Sequence, residues 1–262
     1  MTDLIKFEVA DGIAIITLNR PEKLNAFTDV MLDSWLAALE ECRIRADVRV
    51  IVMTGTGRAF TTGGDVESFS ASASLSPAEI KNRLINGIQR LPRKLAEIEK
   101  PIIAALNGFA TGGGLDIALA CDIRFAAESA RFAETYAKMG LIPGAGGAYL
   151  LPRIVGTAKA LELFWSCDWV EAREAERIGL VNLVFPDAEL MAGTMAFARK
   201  VADAAPLSIQ TIKRVVHLGL NQDLPAALEL VASNMSVVRS SEDHKEALAA
   251  FKEKRTPVFK GK

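Results

Sequence analysis

The chain has 262 residues, of which 50% are hydrophobic and 24% are charged, with a formal net charge of −1. This balance is typical of a globular protein that buries a sizeable core. The near-zero charge argues against nucleic acid or an anionic membrane as a partner.

No segment has the features of a signal peptide or of a membrane span. The first residues lack a charged region followed by an apolar one. No apolar run approaches the roughly 20 residues that cross a bilayer. The three widely spaced cysteines, Cys42, Cys121 and Cys167, favour free thiols in a reducing compartment and lack metal-ligand spacing. The sequence therefore predicts a soluble, cytoplasmic protein without a metal site.

Apolar strands alternate with helices over the first 186 residues. The predicted strands cover residues 12–18, 48–54, 101–106, 123–127 and 180–185. The predicted helices cover residues 28–45, 77–99 and 115–121, and residues 68–76 form a Ser/Ala-rich loop. From residue 187 to 254 the pattern is helical, with breaks near Pro206 and Asn221. This order predicts an α/β fold with a helical C-terminal segment.

Three consecutive glycines, Gly112 to Gly114, separate a predicted strand from a predicted helix. Such a junction exposes backbone N–H groups at the positive end of a helix dipole, and glycine lets a ligand approach them closely. The segment predicts a site for an anion, or for an oxygen that gains charge during a reaction. Asp116 follows in the first helical turn, where it is either a base or an acid that the dipole stabilises.

A second pair of glycines, Gly63 and Gly64, also follows a predicted strand. Two strand ends with small residues can present two N–H groups to one oxygen, as an oxyanion hole does. The alternative is a simple turn in which Asp65 caps the next helix.

Other catalytic motifs are poorly matched. The chain has only two histidines, His217 and His244, and both lie in the helical tail, which disfavours a catalytic triad. The glycine spacing fits neither the dinucleotide fingerprint nor the P-loop.

Taken together, the motifs resemble the enoyl-CoA hydratase/isomerase family, also called the crotonase family. The matching segments keep one order and extend over almost the whole chain: residues 19–26, 57–65, 100–114, 120–122, 140–156 and 250–259. The resemblance implies a crotonase-like spiral of ββα turns over residues 1–195, which holds the CoA and acyl sites. It further implies a helical region over residues 196–262 that builds homotrimers, often paired into homohexamers. The ligand would be an acyl-CoA thioester, and no separate cofactor is expected because CoA is part of the substrate.

The resemblance also implies roles for single residues. The N–H groups of Gly64 and Gly113 would form the oxyanion hole for the thioester oxygen. Residues 67–82 would form much of the acyl pocket wall. The residues that match the family's CoA site are Lys23, Leu24, Ala26, Thr62, Asp65 and Val66, with Phe251 and Lys254 contacting CoA from a neighbouring subunit.

The chain departs from the family at one catalytic position. The family's hydratases use two glutamates, and here Asp116 takes the first position while Tyr136 takes the second. Tyrosine, with an ordinary pKa of about 10, is a poor base at neutral pH. Glu134, two residues earlier, substitutes for it only if the backbone there is extended. The aspartate that some family isomerases carry in the Pro-Gly loop is absent, since Gly144 and Ala145 stand there.

Two functions remain open at this point. The first is an enzyme that acts on an acyl-CoA thioester through an oxyanion-stabilised enolate, by hydration of a 2-enoyl-CoA or by double-bond migration. Its catalytic residues would be Asp116 with Tyr136 or Glu134. The second is an acyl-CoA-binding relative with little or no turnover, because Tyr136 replaces the second glutamate.

Overall fold

The computed structural model describes residues 3–65 and 75–262, which form a mixed α/β fold. The strands are β1 (Ile5–Ala10), β2 (Ile13–Leu18), β3 (Val50–Gly55), β4 (Ala59–Thr61), β5 (Ile102–Leu106), β6 (Phe109–Thr111), β7 (Ile123–Ala127), β8 (Arg131–Ala133), β9 (Val170–Glu171) and β10 (Leu183–Phe185). The α-helices are α1 (Asp29–Ile44), α2 (Pro77–Asn86), α3 (Arg90–Glu97), α4 (Gly113–Leu119), α5 (Gly147–Val155), α6 (Thr157–Ser166), α7 (Ala172–Arg177), α8 (Leu190–Ala202), α9 (Pro206–Gly219), α10 (Leu224–Ser240) and α11 (Glu242–Glu253).

The strands belong to two sheets. The larger sheet has the order β1-β2-β3-β5-β7-β10, and the smaller has the order β4-β6-β8-β9. The long strands β3, β5 and β7 pair in parallel, and so do the short strands β4, β6 and β8 that follow each of them. A strand of the large sheet is thus followed three times by a strand of the small one. This repetition places the segments that leave β4, β6 and β8 side by side.

The large sheet supplies most of the core. Its central strand β3 is buried along almost its whole length, as expected for a parallel strand covered on both faces. Helix α1 begins where Thr28 accepts a hydrogen bond from the N–H of Met31, and it buries Trp35 and Leu39. Helix α8 packs against β3, β5 and β7.

Several predicted elements differ in extent from those observed. The predicted helix over residues 77–99 is two helices, because Gly87 leaves the helical conformation at the end of α2. The helix predicted at 115–121 begins two residues earlier, at Gly113. Strand β1 was not predicted, because every second side chain of this edge strand is exposed to solvent. Most of the predicted loop at residues 68–76 lies outside the described residues.

The tail is helical, as predicted. It breaks before Pro206 and between Gly219 and Leu224, and again at Ser241, whose side chain caps α11. Helices α9 and α10 bury none of their residues in the single chain. The predicted domain boundary after residue 195 falls within α8. Among the described residues, no helix is long and apolar enough to span a membrane.

Candidate active site

The two glycine segments lie next to each other. Because β4 and β6 are parallel neighbours, the residues that follow them leave the small sheet at the same edge. A Cβ atom built on Gly63 would lie 3.2 Å from the backbone nitrogen of Gly113. The predicted pairing of the two segments is therefore present in the fold.

Both predicted oxyanion-hole N–H groups are oriented away from secondary-structure partners. Gly64 forms a parallel bridge with Phe27, in which the N–H of Phe27 donates to the carbonyl of Gly63 and the N–H of Asp65 donates to the carbonyl of Phe27. In this pattern the N–H of Gly64 points to the opposite side, away from Phe27. Gly113 is the first residue of α4, where an N–H has no acceptor within the helix.

The turn into α4 requires glycine. Gly112 has φ 48° and ψ −122°, a conformation that side-chain-bearing residues rarely adopt. Its N–H donates to the carbonyl of Ala133, which fixes the turn against the end of β8. The residues that follow β8, among them Glu134 and Tyr136, are thereby held beside α4.

Asp116 is fully buried (0% exposed) on α4. Its Oδ2 atom accepts hydrogen bonds from the Tyr136 hydroxyl at 2.6 Å and from the N–H of Ala145 at 3.1 Å. The carboxylate lies against Gly147 at the start of α5, so closely that a Cβ atom there would overlap it. Burial raises the pKa of Asp116 to about 6, although the hydrogen bonds from Tyr136 and Ala145 and the nearby N–H of Gly147 lower it in part. Asp116 is therefore a carboxylate at neutral pH and accepts a proton readily.

Tyr136 lies between Asp116 and the glycines of the two loop segments. A Cβ atom built on Gly113 would lie 3.7 Å from the Tyr136 hydroxyl oxygen. A Cβ atom built on Gly112 would contact the Tyr136 ring. Burial and the negative charge of Asp116 raise the pKa of Tyr136 well above its ordinary value. The hydroxyl therefore stays protonated and acts as a donor to Asp116.

Glu134 is buried, with an exposed fraction of 1%. Its carboxyl group lies within hydrogen-bonding reach of Asp116. Neither of its carboxyl oxygens has a hydrogen-bond partner in the described structure. Burial, followed by the charge of Asp116, raises the pKa of Glu134 well above its ordinary value. The three predicted catalytic residues are thus brought together, with Tyr136 towards the glycines and Glu134 enclosed.

A model of the family described as enoyl-CoA hydratase/isomerase matches residues 8–262. The chain belongs to the enoyl-CoA hydratase/isomerase family. The resemblance drawn from the sequence motifs and the predicted α/β fold are both confirmed.

Individual relatives agree with this assignment. The chain is 36% identical to a short-chain-enoyl-CoA hydratase of Clostridium acetobutylicum, over 93% of this chain and 92% of that one. It is 33% identical to a 1,2-epoxyphenylacetyl-CoA isomerase of Escherichia coli, over the full length of both. The crystal structure of an enoyl-CoA hydratase from Bacillus anthracis superposes with a TM-score of 0.93 at 33% identity, over 99% of this chain and 100% of that one. These names support an enzyme of the family and lend no support to a non-catalytic relative.

Four residues predicted for the family's CoA site lie close together beside Gly64. The N–H of Thr62 donates to the carbonyl of Leu24 at 3.2 Å. Arg20 joins the other two, since its guanidinium donates to the carbonyl of Ala26 at 2.9 Å and to Asp65 at 2.6 Å. The carboxylate of Asp65 therefore has a partly buried cation as its partner, and its side chain stabilises the loop. Lys23 is exposed next to these residues, and Val66 lies outside the described residues.

Sequence reasoning missed the two residues that organise this corner, Arg20 and Asn25. The Asn25 side-chain amide donates to the carbonyls of Thr56 and Ala59, and its oxygen accepts the N–H of Arg20. Both residues stand in the matched segment 19–26. The available signal was the position of a charged residue and an amide between the buried elements β2 and α1.

Phe251 and Lys254, by contrast, are remote from this corner in the single chain. Both lie at the end of α11, and Phe251 is 85% exposed. The segment after α11 binds at the amino end of β3, where Arg49 donates to the carbonyl of Phe259. The glycine pair lies beyond the carboxyl end of that strand. The predicted contact of Phe251 and Lys254 with CoA therefore requires a second subunit.

Neither histidine lies at the site, and of the cysteines only Cys167 lies beside it, next to Glu134. His217 is an exposed residue of α9 that pairs with Asp122, and the N–H of His244 bonds to the Ser241 cap. The three cysteines are buried and free. In the described ranges, no group of three or more His, Cys, Asp or Glu residues is arranged to hold a metal ion.

Proposed function

We propose that this protein moves a double bond within an enoyl-CoA thioester, converting a 3-enoyl-CoA into a 2-enoyl-CoA. The thioester oxygen would accept hydrogen bonds from the N–H groups of Gly64 and Gly113. Negative charge develops on that oxygen when a proton leaves the α-carbon, so two fixed donors stabilise the enolate. One such donor is typically worth about 3 kcal/mol of activation free energy.

Asp116 is the proton acceptor, and it acts through Tyr136. The proton leaves C2 for the Tyr136 oxygen while the Tyr136 hydroxyl proton passes to Oδ2 of Asp116. The electron pair of the C2–H bond delocalises over the thioester and the C3–C4 double bond. The relay then runs in reverse and returns the proton at C4, which leaves a double bond between C2 and C3. Tyr136 is neutral before and after, in keeping with its raised pKa.

The observation that carries this proposal is the 2.6 Å hydrogen bond between Tyr136 and Asp116. Hydration needs one group that activates water and another that delivers a proton to the α-carbon. In this chain two of the three candidate groups form one connected unit, and the third, Glu134, is enclosed. A single unit that takes and returns one proton suits double-bond migration.

The remaining parts of the proposal concern binding and assembly. The CoA moiety would lie along Lys23, Leu24, Ala26 and Thr62. A homotrimer or homohexamer built by α9 to α11 would bring Phe251 and Lys254 of one subunit to the CoA of another. The numerous apolar side chains that these helices expose in the single chain support such an interface.

The experiment offers the protein matched pairs of 3-enoyl- and 2-enoyl-CoA thioesters with short, long and aromatic acyl groups. We expect migration from at least one 3-enoyl-CoA, with hydration of its 2-enoyl partner slower by about 100-fold or more. Since the base must be ionised, kcat/KM should rise through a pH near 6, where Asp116 titrates, and level off above it. Faster formation of 3-hydroxyacyl-CoA than of the migrated isomer would overturn the proposal in favour of hydration.

A further inference from the structure

Glu134 is a buried acid that the proposed mechanism does not use. It directly follows β8, and both of its carboxyl oxygens lack a hydrogen-bond partner in the described structure. An ionised carboxylate in such a place would carry a charge without a compensating donor, which is energetically costly. The neutral acid avoids this cost and carries a proton that it can donate.

An acceptor for that proton is available on Asp116. The Oδ1 atom of Asp116 is buried and also lacks a partner, whereas Oδ2 already accepts two hydrogen bonds. The carboxyl groups of Glu134 and Asp116 lie within hydrogen-bonding reach of each other. Two carboxyl groups this close share one proton rather than ionise together. A single proton between them gives Oδ1 of Asp116 a donor and engages one of the two unpartnered Glu134 oxygens.

The surroundings decide which group keeps the proton. Asp116 faces the Tyr136 hydroxyl and the N–H groups of Ala145 and Gly147 at the start of α5, all of which stabilise a carboxylate. Glu134 faces Asp116 and the buried sulfur of Cys167, and neither of these stabilises a negative charge. The ammonium group of Lys138 donates to the Cys167 carbonyl and not to Glu134.

We propose that Glu134 is a positioning residue that stays protonated and donates its carboxyl proton to Oδ1 of Asp116. Asp116 is then the single ionised carboxyl of the site, held on Oδ1 by Glu134 and on Oδ2 by Tyr136. This inference deepens the proposed function, because it rests on Asp116 as the proton acceptor.

The first test detects the protonated carboxyl group by infrared spectroscopy and needs no turnover. Infrared spectra of the unliganded protein at about pH 8 should contain the C=O band of a protonated carboxylic acid, since ordinary carboxyls are ionised there. The band should disappear in Glu134→Gln and persist in Glu128→Gln, a control at an exposed glutamate that pairs with Arg173. A wild-type spectrum without the band, or a band that survives in Glu134→Gln, would overturn the inference. Because no substrate is present, this result does not depend on whether the proposed function holds.

The second test uses the acid limb of the rate–pH profile. Gln keeps a donor at position 134, so Glu134→Gln should leave the limb where it is. Glu134→Leu removes the donor and should raise the limb by roughly one pH unit, because one hydrogen bond to a charged group is lost. If Glu134 were ionised, both variants would instead lower the limb by removing a like charge. A slower Glu134→Leu enzyme with an unmoved limb would reduce Glu134 to a packing residue and contradict the inference.

Discussion

Asp116→Asn should abolish the exchange of α- and γ-protons of a bound enoyl-CoA with D₂O. The amide cannot take up the proton that Tyr136 relays, and proton transfer by a positioned group is worth roughly 10²- to 10⁴-fold in rate. The measurement is exchange by NMR under saturating thioester. Asp33→Asn serves as the control, since Asp33 binds Arg90 on the surface. Exchange within about tenfold of the wild-type rate would remove Asp116 from the mechanism.

The same substitution should not cost stability, which separates lost chemistry from lost structure. The pKa of Asp116 is about 6 in the folded protein, above the ordinary value of 3.8. A raised carboxyl pKa means that the folded state binds the proton more tightly, so its stabilising contribution is lost as the pH rises from about 4 to about 6. At neutral pH the buried carboxylate therefore lowers the free energy of unfolding. The Tm of Asp116→Asn at neutral pH should therefore equal or exceed that of the wild type.

Tyr136→Phe should reduce exchange by a similar factor, because it keeps the ring and removes the relay hydroxyl. If the two residues act as one unit, the double variant Asp116→Asn/Tyr136→Phe should be no slower than the worse single variant. Additive losses would indicate that Asp116 and Tyr136 act independently, which contradicts the proposed relay.

The second large effect is expected at the proposed oxyanion hole. Gly113 is the first residue of α4, a position that tolerates proline because its N–H has no acceptor in the helix. Gly113→Pro removes this one donor and should lower kcat/KM by roughly 10²- to 10³-fold. The drop should lie in kcat more than in KM, because the donor acts mainly on the charged enolate.

Gly113→Ala is the matched control. It keeps the N–H and adds a Cβ atom that would lie 3.3 Å from the Phe27 ring and 3.7 Å from the Tyr136 oxygen. The alanine variant should therefore retain most of its activity. Equal losses in the two variants would show that crowding of Phe27 and Tyr136, and not the missing donor, explains the effect.

The sequence was sufficient to predict the elements that have a long apolar run, a helix cap or a glycine junction. The apolar runs of β3 and β5, the capped helix α1 and the glycine junction before α4 all carry local signals that tertiary packing did not change. The three-residue strands β4, β6 and β8 carry none, because three residues are too few to display a period. These short strands nevertheless align Gly64 with Gly113.

The chemistry of the site was harder to predict, because it depends on contacts between distant residues. Tyr136 and Asp116 are 20 positions apart, and only the repeated passage between the two sheets places the hydroxyl on the carboxylate. The enclosure of Glu134 follows from the same packing. The partnership of Asp65 with Arg20, 45 positions apart, likewise has no signature in local sequence.

The fate of one labelled proton tests the proposed relay through Tyr136 and Asp116. A 3-enoyl-CoA carrying two deuterium atoms at C2 is converted in H₂O, and the product is examined for deuterium at C4 during the first turnover. A single enclosed acid–base unit predicts that a measurable share of the deuterium removed from C2 is returned to C4 of the same molecule, and that Asp116→Asn forms no product. Complete washout to solvent together with oxygen added at C3 would contradict the relay and assign hydration to this site.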